Sequence, residues 1–150
     1  MEDELYQSLL NKVKVFEKKV LQLPMVGQQT KYGLIHLIDE NEKFILIINK
    51  KGHRNKDNLT IILNSKSVHA TMVRFDVNGS DHINPPNKER IPTPHLHIFT
   101  EKYKNGGIAI PLSELVDTQI IKDISEALEF FVGFSNINMD DVIIEPNLFS

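Results

Sequence analysis

The chain contains no cysteine in its 150 residues. That excludes disulfide staples, a thiol nucleophile, cysteine-ligated zinc and iron–sulfur clusters. Long apolar runs are missing as well: the longest, Phe44–Ile48, falls far short of the roughly 18 residues a membrane-spanning helix needs. There is no internal repeat. The opening Met1-Glu2-Asp3-Glu4 is acidic where a secretory signal would be basic, so a cytoplasmic location is the expectation.

What is present is an ordinary globular composition, 41% hydrophobic and 25% charged, at a length suited to a single domain over residues 1–150. The net charge of −3 is unevenly spread. Residues 1–112 carry sixteen Lys/Arg against twelve Asp/Glu, whereas residues 113–150 carry one lysine against eight acids. An acidic cap on a mildly basic body argues against polyanion binding at the C-terminal end. The basic excess gathers at Lys50, Lys51, Arg54 and Lys56, a composition that first suits a solvated hairpin or connecting loop and is, as the alternative, a candidate nucleic-acid contact.

Leu5, Leu9, Val13, Phe16, Val20 and Leu23 recur every three or four positions before Pro24, which predicts an amphipathic helix over residues 3–22 within an N-terminal segment 1–24. Residues 28–112 read as an antiparallel sheet of four to five strands: Thr30–Ile38, Lys43–Asn49, Leu59–Leu63, Val68–Val77 and His95–Thr100. A short strand at Ile108–Ile110 is the optional addition. Residues 78–87 have turn chemistry throughout and predict a long loop. Ile120, Ile121, Ile124, Ala127, Leu128, Phe131 and Val132 form a helical stripe starting near Asp117 as N-cap, in an acidic segment 113–150. The order implies an α+β domain, a meander with an N-terminal helix and a C-terminal helix packed on the sheet.

All six histidines lie between residues 36 and 97. In a strand His95 and His97 point to one face, their Cα atoms about 6.5–7 Å apart. Arg74 and Asp76 show the same spacing on the preceding strand, so the two pairs make one polar patch if they face the same way. Two chemistries fit such a patch. In phosphodiester cleavage of RNA, His95 and His97 would transfer protons, Arg74 would clamp the phosphate, and His82 would stand ready on the loop. Alternatively, His95, His97 and Glu101 form an N/O ligand set for a divalent metal. The bland reading is a solvated patch with a surface ion pair.

The His-x-His followed by Glu resembles the first metal motif of cupins, although no second cupin motif follows. Together, Arg74-Phe75-Asp76, His82-Ile83-Asn84-Pro85, Pro94-His95-Leu96-His97 and Ile108-Ala109-Ile110-Pro111-Leu112 resemble an uncharacterised family of small bacterial and phage proteins, over about residues 60–135. A weaker similarity is to the TumE-like toxins of toxin–antitoxin pairs. That similarity implies catalytic roles for Arg74, Asp76, His82, His95 and His97, an RNA substrate, an antitoxin partner and no required cofactor. The chain departs from it in having Asp81-His82 where the toxin loop has adjacent histidines. The other class of reading is a non-enzymatic phage or mobile-element accessory protein. Such a protein would inhibit a host defence protein, as anti-CRISPR proteins do, with its acidic region docking on a basic groove.

Overall fold

The structure, a computed structural model, describes residues 1–52, 58–116 and 123–145. Its elements run α1 (Asp3–Asn11), β1 (Lys14–Phe16), β2 (Val20–Gln22), β3 (Gln29–His36), β4 (Lys43–Asn49), β5 (Thr60–Ser65) and β6 (Ala70–Asp76). They continue with β7 (His82–Asn84), β8 (Glu89–Ile91), β9 (His95–Ile98), a 3-10 segment (Glu101–Gly106) and β10 (Ala109–Pro111). A short 3-10 turn (Leu112–Glu114), α2 (Ile124–Phe134), β11 (Ile137–Asn138) and β12 (Ile143–Glu145) complete the order. None of the helices described is long and apolar enough to cross a membrane.

The main sheet has eight strands, ordered β10-β9-β6-β5-β4-β3-β1-β11, rather than four to five. Its centre is the expected antiparallel meander, with β3, β4, β5 and β6 adjacent in chain order and β9 and β10 added beyond β6. The extra strands come from segments with other sequence readings. The predicted helix over 3–22 ends at Asn11, and the chain then becomes β1 and β2. Within α1 the buried stripe is Tyr6, Leu9 and Leu10, while Leu5 is exposed. Beyond it Lys14 and Phe16 are buried on either side of a half-buried Val15, a period of two. Pairing of β1 with β3 and β11 outweighs the apolar spacing of three to four, helped by β-branched and aromatic side chains that favour strands.

Two other expectations need correcting. The predicted loop 78–87 contains β7, which pairs with β8 in a hairpin of its own. The C-terminal helix is capped by Asp123, whose carboxylate accepts a hydrogen bond from Glu126 N at 2.9 Å, and not by Asp117. Asp117, Ile120 and Ile121 lie outside the described residues.

Strand alternation separates the two faces of the sheet. Val73, Phe75, Leu96 and Ile98 join Phe44, Leu46, Ile48, Ile61 and Leu63 in one buried cluster with Tyr6 and Leu9 of α1 and Ala127, Leu128 and Phe131 of α2. The Phe75 ring lies 5.0 Å from that of Phe130. Arg74 and Asp76, on either side of Phe75, therefore project from the opposite face, where the β7–β8 hairpin lies over the β9–β10 end of the sheet.

Candidate active site

The register of β6 against β9 sets Arg74 opposite His97 and Asp76 opposite His95. Directly opposed residues in an antiparallel pair share a face. All four side chains are thus brought together, at the floor of a cleft of about 280 Å³ that is also lined by His82 and Thr60. His95 and His97 are each 1% exposed, whereas Arg74 and Asp76 are half-buried.

Asp76 is the hub. Its Oδ2 lies 3.1 Å from His95 Nε2 and 3.2 Å from His97 Nε2. Arg74 donates from an Nη atom to Oδ2 at 3.2 Å, and its Nε sits 3.2 Å from Oδ1. Thr60 Oγ1 donates to Oδ1 at 3.3 Å. Burial by itself pushes the Asp76 carboxyl up, but the His95 and His97 rings beside it and the Arg74 charge outweigh it and hold the group well below the usual carboxylate range. Asp76 is therefore an anion at neutral pH.

Backbone carbonyls orient all three rings. His95 Nδ1 donates to Pro92 O at 3.2 Å and His97 Nδ1 to Gly106 O at 2.8 Å, while His82 Nε2 donates to Gly107 O at 2.9 Å. A carbonyl oxygen only accepts, so these contacts fix the proton on the named nitrogen. His82 stands edge-on to His97, with ring centroids 4.9 Å apart. The Gly106 carbonyl is placed by a φ of +89°, and a Cβ there would press into the Phe99 ring, so glycine is required on both counts.

Asn84, two residues beyond His82 and not among the candidate residues, holds the hairpin that carries His82. Its buried amide donates to Ala109 O at 3.0 Å and accepts from Ala109 N at 2.8 Å. With the His82 bond to Gly107, it clamps the hairpin over β10. The only sequence signal is the His-x-Asn spacing, which puts both side chains on one face of a strand. Asn84→Ala leaves a buried N–H and C=O of Ala109 unpaired and should cost about 2 kcal/mol. Urea denaturation should register that loss, together with weaker protection of the His82 ring in NMR.

The other candidates separate. Strand β9 stops at Ile98, and exposed Glu101 opens the 3-10 segment that follows. Glu101 is not part of the metal-capable group. Asp76 takes the acidic place instead: the donor atoms of Asp76, His95 and His97 lie within 4.8 Å of one another, the single such group among the described residues. Lys50 and Lys51 follow Asn49, which pairs with Thr60, itself opposite Asp76. That places the two lysines beyond the end of β4, two strands or about 10 Å across the sheet from the cluster. Arg54 and Lys56 lie outside the described residues.

No curated protein and no solved structure matches the chain. A family model does match, over residues 1–137, a longer stretch than residues 60–135, where the motifs lie, and one that takes in α1, the whole meander and α2. The chain belongs to DUF6978, a family of unknown function.

Proposed function

We propose that the chain cleaves phosphodiester bonds of RNA in the cleft floored by Asp76, His95 and His97. One observation carries this reading: three proton- or cation-binding groups converge on a single point beside the Arg74 guanidinium, in a cleft open to solvent.

RNA transesterification needs three things. The 2′-hydroxyl must lose its proton, the charge gathering on the phosphorane must be offset, and the departing 5′-oxygen must gain a proton. The 2′-oxygen then bonds to phosphorus as the P–O5′ bond breaks, leaving a 2′,3′-cyclic phosphate and a 5′-hydroxyl. His95 and His97 aim their Nε2 atoms at the same carboxylate oxygen, so they are not disposed on opposite sides of a phosphate. They suit one shared task, activation of the attacking oxygen. Arg74, its side chain 39% exposed, suits the second task. His82 suits the third, because Nε2 is held by Gly107 and Nδ1 remains to pass a proton.

The test is incubation of the purified chain with end-labelled single-stranded RNA and with DNA of the same sequence. RNA should be cut to 2′,3′-cyclic phosphate ends and DNA left intact. Arg74→Gln should slow cleavage about 100-fold, the usual effect of losing one group that offsets transition-state charge. An uncut RNA, or an Arg74→Gln variant as fast as the parent, would overturn the reading.

A further inference from the structure

We infer that Asp76 Oδ2, His95 Nε2 and His97 Nε2 are three ligands of one divalent transition-metal cation of the zinc, manganese or iron class. The donor chemistry comes first. Two imidazoles and a carboxylate form a borderline N/O set that suits those metals better than the all-oxygen sites of calcium or magnesium.

Spacing gives the second support. Metal–ligand bonds of about 2.0–2.2 Å put neighbouring ligand atoms roughly 3.0–3.4 Å apart on a tetrahedral or octahedral sphere. The carboxylate oxygen lies 3.1 and 3.2 Å from the two ring nitrogens. Two of the three separations are thus those of a coordination sphere, and all three donors lie within 4.8 Å of one another, so the two rings need only draw toward a common ion to complete it.

The third support is the state of the rings. With each Nδ1–H committed to a backbone carbonyl, a neutral imidazole presents a lone pair at Nε2. Carbonyl-held Nδ1 and outward Nε2 is the usual arrangement of a metal-ligating histidine. Here both lone pairs face an anionic oxygen, which is repulsive unless positive charge lies between them. A proton on His95 Nε2 would satisfy that ring, which is within hydrogen-bond reach of Asp76. It does nothing for His97, whose Nε2 is buried, close to the same oxygen and yet not aligned for a hydrogen bond with any group. A buried ring nitrogen without a partner is costly, and a cation shared by the three donors removes that cost.

The carboxylate can serve the ion and Arg74 together, since its two oxygens offer about four lone-pair sites. A divalent ion beside Arg74, opposed by one carboxylate, leaves the site cationic and suited to a phosphodiester anion. The ion would lower the pKa of a coordinated hydroxyl, which is the shared task assigned above to the cluster. That role rests on the phosphodiesterase reading, but binding of the ion does not.

The experiment is calorimetric titration of chelator-dialysed chain with Zn²⁺, without RNA. One equivalent should bind, about 100-fold or more weaker in Asp76→Asn and in His97→Gln. His36→Ala and His69→Ala, away from the cluster, should bind as the parent does. Absence of saturable one-equivalent binding, or binding unchanged in the two cluster variants, would overturn the inference. If those variants fail to fold, Mn²⁺ broadening of the parent chain's imidazole NMR signals decides. His95 and His97 should broaden first, and earlier broadening of His36 or His69 would refute the site. A chain that binds one Zn²⁺ but leaves RNA intact keeps the metal site and loses the phosphodiesterase. Full-rate cleavage in EDTA by a chain that binds no metal does the reverse.

Discussion

Asparagine in place of Asp76 is expected to slow RNA cleavage by about 1,000-fold, within the range for loss of a group that moves or stabilises charge in a transition state. The substitution preserves shape and can keep the Thr60 hydrogen bond to Oδ1. It withdraws the negative charge that Arg74, His95 and His97 all face. If the amide nitrogen takes the Oδ2 position, its N–H groups occupy the lone pairs of the two ring nitrogens, which are then no longer free to activate the attacking oxygen. The loss should fall on kcat more than on KM, because Arg74, released from Asp76, remains available to a phosphate. His82→Ala, which removes a proton-transfer group outside the cluster, should cost less, about 100-fold. Single-turnover cleavage across the three proteins gives the comparison, and an Asp76→Asn rate above a tenth of the parent's would sink the assigned role.

The i, i+2 spacing of Arg74 with Asp76 and of His95 with His97 made legible that each pair lies on one face of its own strand. Whether the two pairs share a face, and which residues stand opposite each other, was not. The connection between the strands contains the β7–β8 hairpin, so its length says little about register, and a slip of one residue would have turned one pair to the opposite face. The orientation of the rings was beyond reach too. It depends on the carbonyls of Pro92, Gly106 and Gly107, and backbone groups carry no residue-type signal. Glu101 was a reasonable ligand while β9 could be continued past Thr100; the turn into the 3-10 segment removes it. In the fold, the meander and α2 followed from periodicity. The segment after Asn11 misled because its apolar residues fit both a helical and an extended spacing, and the deciding term is long-range pairing with β3 and β11.

Lys14 shows most sharply how that ambiguity conceals a structural centre. On a surface helix it would be one solvated lysine among several. In β1 it is 0% exposed, with Nζ donating to Leu10 O at 3.1 Å, Lys12 O at 2.8 Å and Ser135 O at 2.9 Å, and lying 4.7 Å from the centre of the Phe44 ring. All three ammonium protons are used, tying the chain around the end of α1 to the residue after α2. Lys14→Met, close in volume, should destabilise the fold by about 3 kcal/mol. It spares the burial of a charge but leaves three carbonyls without their donor. Burial, with the nearby Lys12 charge, lowers the Lys14 pKa from 10.5 to about 8. Between those two values the unfolded chain holds the proton and the folded chain has released it, so this group makes stability rise with pH from about 8 and level off near 10.5. Below pH 8 both states are protonated and Lys14 contributes no slope. The rise should approach roughly 3 kcal/mol, at about 1.4 kcal/mol per unit of pKa difference. Urea denaturation of parent and Lys14→Met at intervals from pH 7 to 10 isolates it. The stability gap between the two should widen as pH increases, and a gap that stays constant would show that the buried amine does not titrate in this range.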